Sequence, residues 1–222
     1  QKVVIKVPQK GQKRKLVNLA LKNCRCSFQN LKKREDQTLE LLSKTQNLLG
    51  LKSLPWRIEC FDISNIQGAY SVGSKVCFEM AEPLKEEYRK YKIKHFTSPN
   101  DFGMMEEVLY RRFQRGLLEG DLPDLVMVDG GKGQLGVAQK VFDQLSIQGI
   151  DLIGIAKARK PGEKEKIFFP DREKPLILPP HEPVLHLLQR VRDEAHRFAI
   201  EYHRNLRDRD FLRNKGSSGK VP

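Results

Sequence analysis

The sequence predicts an α/β fold: a mixed five-stranded sheet, three antiparallel strands then parallel strands, flanked by helices, with a basic helical lead-in. Three observations carry this. Two apolar runs, Arg57–Ser64 and Leu125–Val128, read as buried strands, yet one contains an acid, Asp62, and the other ends in one, Asp129. The connections among the first three strands are short, which favours antiparallel neighbours. After them, strand patterns alternate with helical spacing.

Of the 222 residues, 41 are Lys or Arg and 28 are Asp or Glu, a net charge of +13. Residues 1–55 carry 13 bases against 3 acids, residues 56–185 carry 19 against 20, and residues 186–222 carry 9 against 5. A near-neutral body thus lies between two basic arms, a distribution that points to a polyanionic partner. No apolar run reaches the roughly 18 residues of a membrane span. The opening Gln1–Lys6 is too short for a signal peptide and reads as a strand cut from a longer protein. Cys24 and Cys26 lack zinc-ribbon spacing, while Cys60 and Cys77 fall in strands as core thiols. A reduced, cytoplasmic setting follows.

In order, residues 2–7 read as a strand and Pro8–Arg14 as a basic turn. Lys15–Leu49 has helical spacing with a break near Cys24–Phe28, and Gly50 stops it. Trp56–Ser64 is the first strand of the body, Ser71–Met80 the second and Glu86–Ile93 the third. A helix over 101–118, a strand over 125–129, a helix over 133–145 and a strand over 152–156 follow. Ile167–Phe169 reads as a hairpin or edge strand. After a proline-rich connection, a helix covers 184–205. The expected division is a lead-in over 1–55, a catalytic body over 56–206 and a linker over 207–222.

That order is the order of the ribonuclease H fold. In that fold one acid sits in the middle of the first strand, one ends the fourth, and a late helix adds a ligand. These places hold Asp62, Asp129 and His196, and Asp101 opens the first helix of the body. Burying a carboxylate is costly unless it is paired or binds metal. Phosphodiester cleavage suits two divalent ions about 3.5–4 Å apart, one activating water and one stabilising the leaving oxygen. Mg2+ prefers carboxylate oxygens and Mn2+ also accepts imidazole. Asp62 would bridge both ions, with Asp129 and His196 completing the site.

Each residue has a plainer reading. Asp62 can pair with an arginine, Asp129 can be a strand-to-turn residue, Asp101 a helix-start acid and His196 a solvated helical histidine. The set is stronger than its members because one fold brings all four together. Gly130-Gly131-Lys132-Gly133 is not a Walker loop, but Lys132 at a helix start can hold a phosphate. Lys157, just past the fifth strand, is a candidate of the same kind, and so are Arg192 and, in the lead-in, Lys13 and Arg14. Tyr88, Arg89, Tyr91 and Lys92 interleave aromatic and basic side chains, which a half-exposed strand also explains.

Glu59-Cys60-Phe61-Asp62-Ile63-Ser64-Asn65, Glu87–Ile93, Asp124–Leu135 with its Asp-Gly-Gly-Lys-Gly-Gln-Leu run, and Arg192–Ile200 with Arg-Asp-Glu-Ala-His together resemble the UvrC family, nuclease subunits of bacterial nucleotide excision repair. The early Pro8-Gln9-Lys10-Gly11 and Lys13–Val17 are similar too. The resemblance implies the C-terminal, RNase H-like half. That half makes the incision 5′ to a lesion, with Asp62, Asp129 and His196 as the triad and Asp101 as an additional acid. It also implies a Mg2+ or Mn2+ cofactor, damaged double-stranded DNA and the UvrB–DNA complex as partners, no membrane, a monomer in isolation, and a helix-hairpin-helix module beyond the linker. The alternatives are another RNase H-like structure-specific nuclease, or a non-catalytic DNA-binding scaffold.

Overall fold

The structure is a computed structural model describing residues 7–65, 71–93, 100–158 and 163–217, without the side chains of 64, 65, 71 and 202–217. The strand expected over 2–7 lies outside these residues except for Val7, which is irregular. Two compact units are present, residues 1–41 and 42–222.

Helix α1 (Gly11–Leu49) is continuous, so the expected break near Cys24–Phe28 is absent. The reason lies in the composition: no glycine or proline interrupts residues 12–49. It begins at Gly11, inside the segment expected to be a turn. Within the first unit its side chains are almost all exposed, Cys24 and Cys26 included. Its last turns belong to the second unit and bury Leu42, Thr45 and Leu49. Gly50 ends it at φ +70°, with the Gly50 and Leu51 amides donating to the Gln46 carbonyl.

Among the described residues the body is one sheet of seven strands, extending the expected five. They are β1 (Arg57–Asn65), β2 (Ser71–Glu79), β3 (Glu82–Pro83), β4 (Arg89–Lys92), β5 (Leu125–Asp129), β6 (Asp151–Ala156) and β7 (Lys166–Phe168). The order is β3-β2-β1-β5-β6-β7, with β4 also on β2. β1 pairs antiparallel with β2, and β2 with β4, as expected for the first three strands; β1, β5 and β6 are parallel. The third strand is shorter than expected because Lys85–Glu87 forms a 3-10 turn. Ile167 and Phe168 lie on the edge strand β7.

Helices α2 (Asp101–Glu119) and α3 (Lys132–Gln144) cover one face of the sheet. Asn100 caps α2 by accepting from the Gly103 amide at 3.1 Å, and Gly120 ends it at φ +68°. Their buried stripes, including Met105, Val108 and Phe113 on α2 and Ala138 and Val141 on α3, close on Phe61, Val126 and Val128. Helix α4 (Pro183–Ser217) covers the other face, burying Val184, Leu188, Val191, Ala195 and Ala199 at helical spacing. No helix among the described residues is long and apolar enough to cross a membrane.

Side chains alternate along β1, so Cys60 and Asp62 point to the α4 face, and Glu59 and Phe61 to the α2 face. Glu59 is fully buried and takes three cations. Lys75 donates at 2.8 Å, Arg112 at 2.7 and 3.0 Å, and Arg57 at 3.4 Å. Lys75 and Arg112 are themselves buried. Removing one member of such a cluster strands the others without compensation, at a cost of about 3–5 kcal/mol. Glu59→Ala is therefore expected to lower the unfolding free energy, read from urea melts, by that much, while Glu79→Ala, an exposed acid at the end of β2, leaves it within about 0.5 kcal/mol. Equal midpoints for the two variants would remove Glu59 from the structural role.

Candidate metal centre

Register brings the two strand acids level. β1 and β5 are parallel with Phe61 opposite Val128, so the next residues, Asp62 and Asp129, stand side by side. Phe61 and Val128 both enter the α2–α3 core, which turns both carboxylates to the α4 face. Two glycines shape the turn beyond β5. A Cβ at Gly154 of β6 would stand 2.9 Å from the Gly130 carbonyl oxygen, and the Gly130 amide donates to the Ile155 carbonyl at 2.9 Å. The turn can settle onto β6 because position 154 carries no side chain.

The third member comes from α4. Ala195 faces the sheet, and its carbonyl accepts from the buried Ser74 hydroxyl at 3.3 Å. The next residue, His196, lies on the margin of the buried stripe and reaches Asp62, Nδ1 to Oδ2, at 3.6 Å. Glu194 fixes the same turn: Tyr88 donates to it at 3.0 Å and Arg197 at 2.7 and 2.8 Å. Asp62, Asp129 and His196 each offer a ligand atom, all within 4.8 Å of one another. Asp62 is buried, Asp129 half-buried and His196 exposed, so the cluster opens toward solvent on the histidine side.

Burial, then the neighbouring Asp62 carboxylate, pushes the Asp129 carboxyl up to about 6, against the pull of Arg192 and His196. Burial and the same two acids hold the Cys60 thiol well above its ordinary range, so it stays neutral beneath them. Two crowded carboxylates, one retaining its proton to about pH 6, with an imidazole at the open side form a donor set suited to a hard divalent cation.

Asp101 lies outside the cluster. It opens α2 and is exposed, and the adjacent Phe102 packs where a Cβ on Gly133 would stand, 2.7 Å from its ring, joining the starts of α2 and α3. Lys132 is exposed at the start of α3. Lys157 is exposed just past β6 and lines a hollow of about 550 Å3 with Asp193, His196 and Arg197. Lys13 and Arg14 belong to the other unit, in the first turn of α1.

Arg192 departs from expectation. It is buried, and its guanidinium is taken by Glu165 at 2.6 Å and Asp193 at 2.6 and 3.0 Å. It is a fixed positive charge beside Asp129 rather than an open phosphate clamp. Glu165 was not singled out in the sequence: it lies in a loop 27 residues before Arg192, and only the fold joins them.

A family model for the UvrC RNase H endonuclease domain matches residues 46–200. The chain is 48% identical over 209 residues to UvrABC system protein C of Desulfotalea psychrophila, covering 94% of this chain and 34% of that protein. It is 43% identical over 218 residues to the protein of the same name from Protochlamydia amoebophila, covering 96% and 36%. The chain thus spans about a third of the length of the curated relatives it matches. Among solved structures, endonuclease V of Ciona intestinalis in complex with a DNA 24-mer is 14% identical with a TM-score of 0.45, covering 77% of this chain and 99% of that one.

Asp129 ties the centre to pH. Its ordinary value of 3.8 holds in the unfolded chain, and its folded value is about 6. Between these, the folded state binds a proton that the unfolded state has lost, so metal-free stability falls as pH rises through this window and is level above it. Asp129→Asn removes that penalty. In EDTA the variant is expected to be more stable than the parent by on the order of 3 kcal/mol at pH 7.5 and equal to it below pH 4. Urea midpoints at the two pH values check this; a difference that ignores pH would refute the crowding of the two acids.

Proposed function

This chain belongs to the UvrC RNase H endonuclease domain family, and from that premise we propose a divalent-metal-dependent DNA endonuclease of nucleotide excision repair. It makes the incision 5′ to a lesion and leaves a 5′-phosphate and a 3′-hydroxyl. The observation that carries the reading is the convergence of Asp62, Asp129 and His196 within 4.8 Å on one face of the sheet. These residues would hold Mg2+ or Mn2+. When bound there, the ions supply an activated water and neutralise charge at the leaving oxygen.

The chain's own residues do the rest. Asp62, the buried member, anchors the site from the middle of the sheet. Asp129 gives up its proton near pH 6 and is a full ligand at neutral pH. His196, the exposed member, lies where substrate would enter. Arg192, held by Glu165 and Asp193, offsets the charge of the paired acids. Lys132 and Lys157 hold backbone phosphates, and Lys13 and Arg14 add a grip that does not read sequence. Asp101 is the additional acid, acting through water. The substrate is damaged double-stranded DNA presented as the UvrB–DNA complex, met by a monomer in the cytoplasm.

Asp62→Asn is expected to reduce nicking of damaged duplex by on the order of 10³-fold, equivalent to about 4 kcal/mol of barrier. Its DNA affinity, measured in EDTA, should be unchanged. His196→Ala should lose at least about tenfold. Wild-type nicking by either variant would remove that residue from the centre. DNA affinity should also fall steeply with salt, and a salt-independent affinity would sink the backbone grip.

A further inference from the structure

The face of the sheet turned away from the metal centre carries a second concentration of charge. Between β4 and α2 lies a cavity of about 420 Å3 whose lining includes six Lys/Arg side chains against three acids, Glu87, Glu119 and Asp121. Two of those acids are committed. Glu119 holds Arg115 at 2.8 Å, and Asp121 holds Arg57 at 2.6 Å and Arg112 at 3.1 Å. Below the floor, the buried Glu59 takes Lys75 and Arg112. Lys90 sends its ammonium to the opposite face; without it, and with Arg57, Glu59 and the Arg111 partner Glu107, six cations stand against five acids, an excess of one positive charge.

The excess sits at the mouth. Arg89 is half exposed and spends Nη1 on the Glu86 and Tyr88 carbonyls, while its Nη2 meets a carboxylate, Glu87, only at 3.8 Å. Arg111 makes its hydrogen bonds among the described residues through Nη1 alone, to the Lys92 carbonyl at 3.0 Å and Glu107 at 3.2 Å. Its guanidinium lies over the Tyr91 ring, 5.6 Å from the centroid, which holds the fork in place. An arginine fork with an open edge matches a phosphate in two parallel hydrogen bonds.

β4 also joins this cleft to the metal face. Strand alternation sends Arg89 and Tyr91 toward α2. Lys90 turns the other way, its Nζ 4.4 Å from the centroid of Phe198 on α4, the helix that bears His196. β4 is an edge strand, two strands from β1, or roughly 10 Å at ordinary strand spacing. A polyanion leaving the metal centre across this edge meets Lys90 and then Arg89.

We infer that the β4–α2 cleft binds a backbone phosphate of the DNA strand after it crosses the β4 edge, with Arg89 and Arg111 as its ligands. The inference rests on the nuclease reading of the metal centre. A test that needs no variant is arginine modification of the full chain by phenylglyoxal in EDTA, read site by site by mass spectrometry. It is run without ligand, with a duplex oligonucleotide, and with inorganic phosphate alone. DNA is expected to slow modification of Arg89 and Arg111 at least about threefold, and Arg197, beside His196, likewise. Protection of Arg197 with Arg89 and Arg111 reacting at the free rate overturns the cleft and leaves the nuclease reading standing. Protection of none of the three overturns both. Protection of the cleft by phosphate but not by DNA makes it a small-anion site and overturns the strand assignment. In parallel, the double variant Arg89→Gln, Arg111→Gln should reduce the slope of log affinity against log salt by about 0.9, the value of one phosphate contact; an unchanged slope counts against the cleft.

Discussion

Two carboxylates held level at neighbouring positions of parallel strands repel each other, and much of the body is arranged around that repulsion. The β1–β5 register sets Asp62 beside Asp129, and the core beneath Phe61 and Val128 prevents either strand from turning away. The molecule answers with nitrogen-bearing partners from one helix. Arg192 is locked in place by Glu165 and Asp193, and His196 is presented from the next turn. The α4 backbone can come this close because the residues facing the sheet there are Ala195 and Ala199. What remains unsatisfied is stored as a raised Asp129 pKa, and a divalent cation is the species best able to relieve it.

Glu59 and Asp62 show how one strand serves two ends. They are three residues apart, and an odd separation sends them to opposite faces. Glu59 enters a closed site and is saturated by Lys75, Arg112 and Arg57. Asp62 enters a site open on one side, where its partners are a second acid and an exposed imidazole. The first arrangement uses charge to hold the sheet to α2. The second leaves charge available for chemistry.

Legibility in the sequence followed the range of each interaction. β1 and β5 could be read because their apolar runs are local and the acids within them violate the pattern. His196 could not be separated from any solvated helical histidine by its neighbours; the element order and the family resemblance located it. Glu59 breaks the same apolar run as Asp62, but its role is not local, since its partner Arg112 lies 53 residues away on a helix that reads as ordinary. Arg192 reads in sequence as a phosphate-binding candidate because the acids that claim it are an immediate neighbour and a loop residue 27 positions upstream. Helix α1 runs through the break expected near Cys24–Phe28 because that stretch holds no glycine or proline to end it. The short strands β3 and β7 fall below the length at which periodicity carries a signal.

The alternation along β1 has an evolutionary and cellular consequence. A slip of one residue in its pairing would carry Asp62 into the α2–α3 core and Phe61 out to the open face. No well-packed but inert isomer is available by that route, since the slipped chain would bury an unpaired carboxylate among Phe113, Val126 and Leu135. Assembly errors therefore surface as loss of folding, visible to proteolysis, rather than as a silent competitor.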